Sequence, residues 1–150
     1  MTLSATAPAA AGVLLPLAPE ECLALLATRP FGRVVFTHRA LPAVLPVNFL
    51  LHDGAVLLRV QPGSALATAA GGSVVAFQVD DIDAATRTGW SVTAVGRADV
   101  VGDEVRQRAL AGLTPWAGGE RDHVVRIGLE QLTGRRLAQQ VPVLPEAVGA

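Results

Sequence analysis

From Gly89 to Val101 the chain alternates residue by residue, and a period of two admits a half-buried strand and little else. Trp90, Val92, Ala94, Gly96, Ala98 and Val100 face one way, and Ser91, Thr93, Arg97 and Asp99 face the other. Five more runs read as strands. Gly32 to Thr37 is β-branched and apolar, and so is Val74 to Val79. Leu41 to Leu51 is long and apolar, with Pro42 and Pro46 placing at least part of it at an edge or a bulge. Asp53-Gly54 is a two-residue hairpin signal that leads into Ala55–Val60, and His123 to Thr133 is the last run. Strands in hairpin succession, without long helices between them, exclude a doubly wound parallel sheet. They predict a mainly β fold with short helices: a small six-stranded antiparallel barrel, closed or partly closed, because closure removes exposed edges.

Helices enter at the corners. Pro19, followed by Glu20 and Glu21, starts one that runs to about Thr28 and is ended by Pro30; Leu23, Leu26 and Ala27 share its apolar face. Ser64 opens a short alanine-rich helix closed by Gly71-Gly72, and Asp103 caps a third through about Ala111. Residues 1–16 read as a disordered tail, 17–138 as one domain and 139–150 as a second tail. The chain is 51% hydrophobic, which suits a folded domain with a substantial core. No apolar run reaches the ~18 residues of a membrane-spanning helix, and the N-terminus lacks a basic signal-peptide region, so a cytoplasmic protein is expected. All twelve basic residues are arginine, the net charge is −1, and no basic stripe forms, which argues against nucleic-acid binding. Cys22 is the one cysteine; an internal disulfide and a CxxC metal knuckle are both excluded, and its helical setting predicts a buried thiol.

The motifs of common chemistries are missing. His38, His52 and His123 fall in no HxxxH or HExxH spacing. Asp80, Asp81 and Asp83 lack the glycine and distal glutamate of a calcium loop and read as a solvated turn. There is no G-x-S-x-G elbow, Walker loop or G-x-G-x-x-G, and no catalytic residue is identified. One segment stands out: Leu57-Leu58-Arg59-Val60-Gln61-Pro62-Gly63-Ser64-Ala65-Leu66, a strand, a Pro-Gly turn and a capped helix start. Free backbone N–H groups at that start and a guanidinium fork at Arg59 can hold an anion. An ordinary turn into a capped helix accounts for the same residues. An anion site without evident acid, base or nucleophile suits a protein whose cofactor carries the chemistry. Three further spots belong with it. Asn48 is a lone amide in the apolar run Val44-Leu45-Pro46-Val47-Asn48-Phe49 and needs a partner in the backbone or a ligand. Trp90 starts a strand, either as a core anchor or as a ring-stacking residue. Arg135 and Arg136 follow the last strand, either as solubilising charge or as a second anion contact.

Taken in order, these residues resemble the pyridoxamine 5′-phosphate oxidase-like, FMN-binding split-barrel proteins. The resemblance lies nearest their small actinobacterial branch, which is itself similar to nitroimidazole-resistance proteins. It rests on Leu45-Pro46-Val47-Asn48-Phe49, Arg59 with Pro62-Gly63-Ser64 and Leu66, Phe77-Gln78-Val79-Asp80, Gly89-Trp90-Ser91-Val92, Gly96-Arg97-Ala98 and Thr133-Gly134-Arg135-Arg136, and spans roughly residues 17–137. It implies a six-stranded split barrel that forms a homodimer with flavin in the clefts between subunits, acting on a small-molecule substrate. Arg59, Ser64 and Gln61 would then meet the phosphate and ribityl chain, with Leu66 beside them. Val47, Asn48 and Phe49 would lie along the ring, Trp90 near it, and Arg135 or Arg136 would reach in from the partner chain. Relatives carry a basic residue directly after the serine or threonine of the turn, where this chain has Ala65. Losing that cation removes a contact of about 1.5–3 kcal/mol, one to two decades of affinity. FMN is therefore the first expectation, with the deazaflavin F420 and a non-enzymatic flavin or haem binder as alternatives. The histidine of the Arg-x-His pair that contacts vitamin B6 is absent at Arg136-Leu137-Ala138, so B6 oxidation is not expected.

Overall fold

Among the described residues, nine antiparallel strands arise from the expected six runs, because two runs break and one strand is added. The computed structural model describes residues 11–139. Strands β1 (Val13–Pro16), β2 (Phe31–His38), β3 (Leu41–Asn48), β4 (Leu50–His52), β5 (Ala55–Val60), β6 (Ser73–Asp83), β7 (Thr88–Val100), β8 (His123–Gly128) and β9 (Gln131–Ala138) are joined by helices α1 (Pro19–Leu26), α2 (Ala65–Ala69) and α3 (Asp103–Gly112). Phe49 divides the 41–51 run: its N–H bonds back to Pro30 O (3.3 Å), its ring is buried, and pairing resumes at Leu50. Leu129 and Glu130 break the 123–133 run into β8 and β9, which pair with successive stretches of β7 and not with each other. Val13–Pro16, expected in the tail, pair with Ala138–Arg135 of β9. The rest of the two tails, 1–10 and 140–150, lies outside the described residues.

The strands follow the order β3-β2-β6-β7-β8-β5-β4, and the path does not close. It forks at β7. Gly89 to Val95 of that strand pair with β9, whereas Ala98 to Val100 pair with β8 on the same edge. Gly96 sits at the crossing, where a Cβ would land on the carbonyl oxygen of Gly128 and lie 2.8 Å from its carbon. The adjacent Arg97 N–H leaves the ladder and donates to Glu130 Oε1 (3.3 Å). Alternation along β7 holds from Trp90 to Ala98, all buried at every second position, and ends there: Val100 is exposed.

Strand β5 is apolar on both faces for a physical reason. Val56, Leu58 and Val60 point into the main core with Val34, Phe77, Val92, Val125 and Ile127. Leu57 points the other way, into a small second core with Val124 and Ala109 of α3. Two hairpin turns take left-handed backbone at both central residues: Asp53-Gly54 as expected, and Arg39-Ala40 between β2 and β3, where neither residue is glycine. Helix α3 is capped by Gly102, and Asp103 is its first residue instead of its cap. Asp80 and Asp81 are not a solvated turn. They end β6 as ion pairs with Arg33 (3.5 Å) and Arg29 respectively, and Asp83 Oδ1 accepts from Ala85 N (2.8 Å) to start the turn. No described helix is long and apolar enough to cross a membrane.

Cys22 is fully buried beneath Gly134. Burial, with the charge of Glu21 adding to it, pushes the thiol pKa up. The thiolate is the reactive form. Folded protein should therefore react with a disulfide reagent at neutral pH on the order of 100-fold more slowly than urea-unfolded protein. Equal rates in the two states would place the thiol at the surface.

Candidate functional site

One end of the sheet holds a cavity of about 460 Å3. Three segments build it. The start of β2 and the end of β3 contribute Phe31, Leu45, Pro46, Val47 and Asn48. Arg59, Val60, Gln61, Ser64 and Leu66 come from β5, the turn after it and α2. Pro115, Trp116, Ala117 and Arg121 belong to the irregular strap 113–122 between α3 and β8.

The turn forms as its sequence dictates. Pro62 and Gly63 (φ 76°) close it with a Ser64 N–H to Gln61 O bond of 3.2 Å. Ser64 is extended and its Oγ accepts from Ala67 N (3.2 Å), so the cap is real. Helix α2, though, is five residues long, and so short a stack of peptide dipoles adds little field of its own. The cationic character of the site comes from Arg59 and Arg121. Among the described residues, no carboxylate pairs with either.

Arg59 has a second partner set that the sequence does not announce. Its Nε donates to Arg121 O (2.8 Å) and its Nη1 to Leu113 O (2.8 Å). Leu113 is the C-cap of α3, a helix with no basic residue in its last turn, so β5 supplies the cation that the helix C-terminus favours. A guanidinium has five N–H donors, and two are used here. The outer edge of the fork remains for an anion, so Arg59 can hold the strap and a ligand together.

Asn48 answers its own question in the same way. Its Nδ2 donates to Thr114 O (2.8 Å) and its Oδ1 accepts from Trp116 N (3.3 Å). The strap is thus tied at Leu113, Thr114, Trp116 and Arg121 by Asn48 and Arg59, and Arg106 of α3 holds its far end through a bond to Asp122 O (2.9 Å). Arg121 Nε adds a bond to Gly118 O (3.4 Å) within the loop. At Gly119 the backbone takes φ 95°, a conformation that favours glycine, and a Cβ there would only push aside the flexible amide of Gln61. The strap is a wall of the cavity.

Six of the residues singled out from sequence meet here: Val47, Asn48, Arg59, Gln61, Ser64 and Leu66. Four do not line it. Phe49 turns inward, edge-on to Phe77 at 4.8 Å. Trp90 lies in the main core. Arg135 is exposed on β9 opposite Ser91, and Arg136 lines a different pocket with Thr86 and Thr88. Sequence reasoning missed Phe31 and Arg121, which no periodicity marks. The segment Trp116-Ala117-Gly118-Gly119-Glu120 reads from sequence as either a lid over the cleft or a plain turn, and its Trp116 and Ala117 line the cavity. Among the described residues, no three His, Cys, Asp or Glu side chains gather to hold a metal.

Comparison with known proteins agrees with this architecture. The protein Rv0080 of Mycobacterium tuberculosis is 41% identical over 136 residues, covering 87% of this chain and 90% of that protein. The structure of the FAD-binding protein from Mycobacterium smegmatis superposes with a TM-score of 0.65 at 33% identity, over 83% of this chain and 98% of that one. The FAD- and haem-binding protein from the same organism shares the fold, with a TM-score of 0.68 at 16% identity over 87% and 77% of the two chains. A model of the pyridoxamine 5′-phosphate oxidase family matches residues 18–136. With its forked β7, its Pro-Val-Asn strand end and its Arg59–Ser64 turn all inside that match, the chain belongs to the pyridoxamine 5′-phosphate oxidase family of split-barrel proteins.

Proposed function

We propose that this protein is a homodimeric flavin-binding oxidoreductase that takes FMN in the cavity and passes hydride or electrons to a small molecule. The observation that carries the reading is the cavity's polarity: two guanidiniums without carboxylate partners among the described residues, beside Ser64 and Gln61, open onto an apolar wall of Leu45, Pro46 and Val47. That division fits a molecule with a phosphate at one end and a flat apolar ring at the other. Arg59, Ser64 and Gln61 would hold the phosphate end, with Val47 and Asn48 along the ring. Bound flavin supplies the redox chemistry. This chain's residues bind it, orient it and keep water from one face. The FAD-binding relative at 33% identity supports a flavin in general.

A second copy is drawn in by the surface next to the cavity. Strand β3 pairs only with β2 among the described residues, and it exposes Leu41 (68%), Val44 (56%) and Leu45. Exposed apolar side chains on an unpaired edge strand suit an interface. In such a dimer Arg135 or Arg136 of one subunit would reach the site of the other.

Ala65 favours a second reading, F420, because it leaves a phosphate one cation short of the relatives' pattern. The experiment is an absorption spectrum of the purified protein across gel filtration with light scattering, before and after adding FMN, followed by an F420 titration. A flavin band that co-elutes with a dimer is the expected result. A colourless protein that ignores FMN but binds F420 replaces the first reading with the second. A monomer at micromolar concentration defeats the shared cleft. Turnover of reduced cofactor with an artificial acceptor separates an enzyme from a carrier.

A further inference from the structure

We propose that a second anion subsite, for a phosphate group, lies behind the Ser64 turn and is formed by Arg39, His38, Thr37 and Ser73. It stands outside the cavity given to flavin and does not depend on that assignment. A cavity of about 710 Å3 opens there, between the β2–β3 hairpin, α2 and the start of β6. The turn is the partition: Ser64 lines the flavin cavity, and its neighbours Gly63 and Ala65 line this one. The lining carries a guanidinium, an imidazole and hydroxyls, with no carboxylate and no apolar side chain larger than alanine. A flat ring finds no wall there, whereas a small charged group finds donors. Thr68 spends its hydroxyl proton on Ser64 O (3.1 Å), which leaves Thr37 and Ser73 as the hydroxyl donors. Arg39 is the cation of the set. Its backbone is left-handed (φ 52°), as is that of Ala40 (φ 63°). A two-residue hairpin of this kind suits Asn-Gly, and arginine meets a steric cost there that glycine escapes. Turn stability therefore gives no reason for arginine at this position, and an anion does. Arg29, Arg33 and Arg106 each pair with an aspartate, but among the described residues no carboxylate pairs with Arg39. Its fork can take two oxygens of a phosphate and leave the third to His38 and a hydroxyl.

Calorimetric titration with inorganic pyrophosphate tests this in an Arg59→Ala/Arg121→Gln background, where the flavin cavity has lost both of its cations. That chain should bind one pyrophosphate, and sodium chloride at matched ionic strength should give no such signal. Adding Arg39→Asn should weaken binding about tenfold or more, and adding Arg39→Lys should keep it within about threefold. Arg39→Asn alone should unfold in urea at the wild-type midpoint or above it, because asparagine suits the left-handed turn, so lost binding is not lost folding. No pyrophosphate bound in the background chain overturns the subsite, and so does binding that Arg39→Asn leaves within about twofold. This titration uses no flavin, so it decides the subsite even where the flavin reading fails. Affinities of wild type and Arg39→Asn for FMN and for FAD then give the source of the phosphate. A loss confined to FAD, with its second phosphate, sustains the subsite as an extension of the flavin cavity. Unchanged affinity for both flavins sustains it as the site of a separate phosphorylated molecule. An equal loss for FMN and FAD overturns a second subsite, because the pocket then serves the first phosphate.

Discussion

Gly96→Ala is expected to destabilise the protein by about 3 kcal/mol or more, roughly 10 °C in Tm. The added methyl would fall on the Gly128 carbonyl, which is backbone and cannot rotate away. To make room, β8 must move off β7 where the strand changes partners, and the ladder from Ala98↔Ile127 to Val100↔Val125 shifts with it. Val125 and Ile127 are fully buried, so the strain reaches the main core. Gly71→Ala is the control. Its Cβ would meet nothing within 4 Å, and the change should stay within about 0.5 kcal/mol. Urea unfolding of the two variants measures the difference. Equal midpoints would mean that the fork is looser than its geometry.

Arg59 carries the other large effect. Arg59→Ala removes both bonds to the strap and the open edge of the fork. Loss of flavin affinity by about one to two decades is expected, from a charge-assisted contact of about 1.5–3 kcal/mol. Arg59→Glu should abolish retention, because a carboxylate would face the phosphate. Neither variant should unfold the protein: the guanidinium is half-buried, and the freed Leu113 and Arg121 carbonyls can take water, at a cost of about 1–2 kcal/mol. The strap should loosen, seen as faster trypsin cleavage after Arg121. Arg59→Lys separates the two roles, because an ammonium presents its donors from one atom and cannot span two carbonyls and an anion. It should keep part of the flavin and lose the strap. Full flavin occupancy in Arg59→Glu would remove Arg59 from the site.

Much of the architecture was legible in the residues. Period-two alternation from Trp90 to Ala98, the Asp53-Gly54 turn, the Pro19 helix start and the Ser64 cap are local, and each forms where the local chemistry directs it. The strand breaks at Phe49 and Leu129 were not legible. Both halves of each run suit a strand, and only the long-range partners, Pro30 in one case and the β7 fork in the other, decide where pairing stops. Val13–Pro16 looked like tail for the same reason, because a short apolar segment becomes a strand only when an edge such as β9 is there to receive it.

The candidate site divides along the same line. Val47, Asn48, Arg59, Gln61, Ser64 and Leu66 were marked by residue type and spacing, which the chain carries in one dimension. What Asn48 and Arg59 bond to, the carbonyls of a strap more than fifty residues downstream, is decided by the fold that brings α3 and β8 beside β5. Trp116 and Arg121 acquire meaning only there, because an irregular loop has no period to read and its place is set by the side chains that hold it. Phe31 lies one residue before the run that reads as β2, and only the fold sets it opposite Trp116.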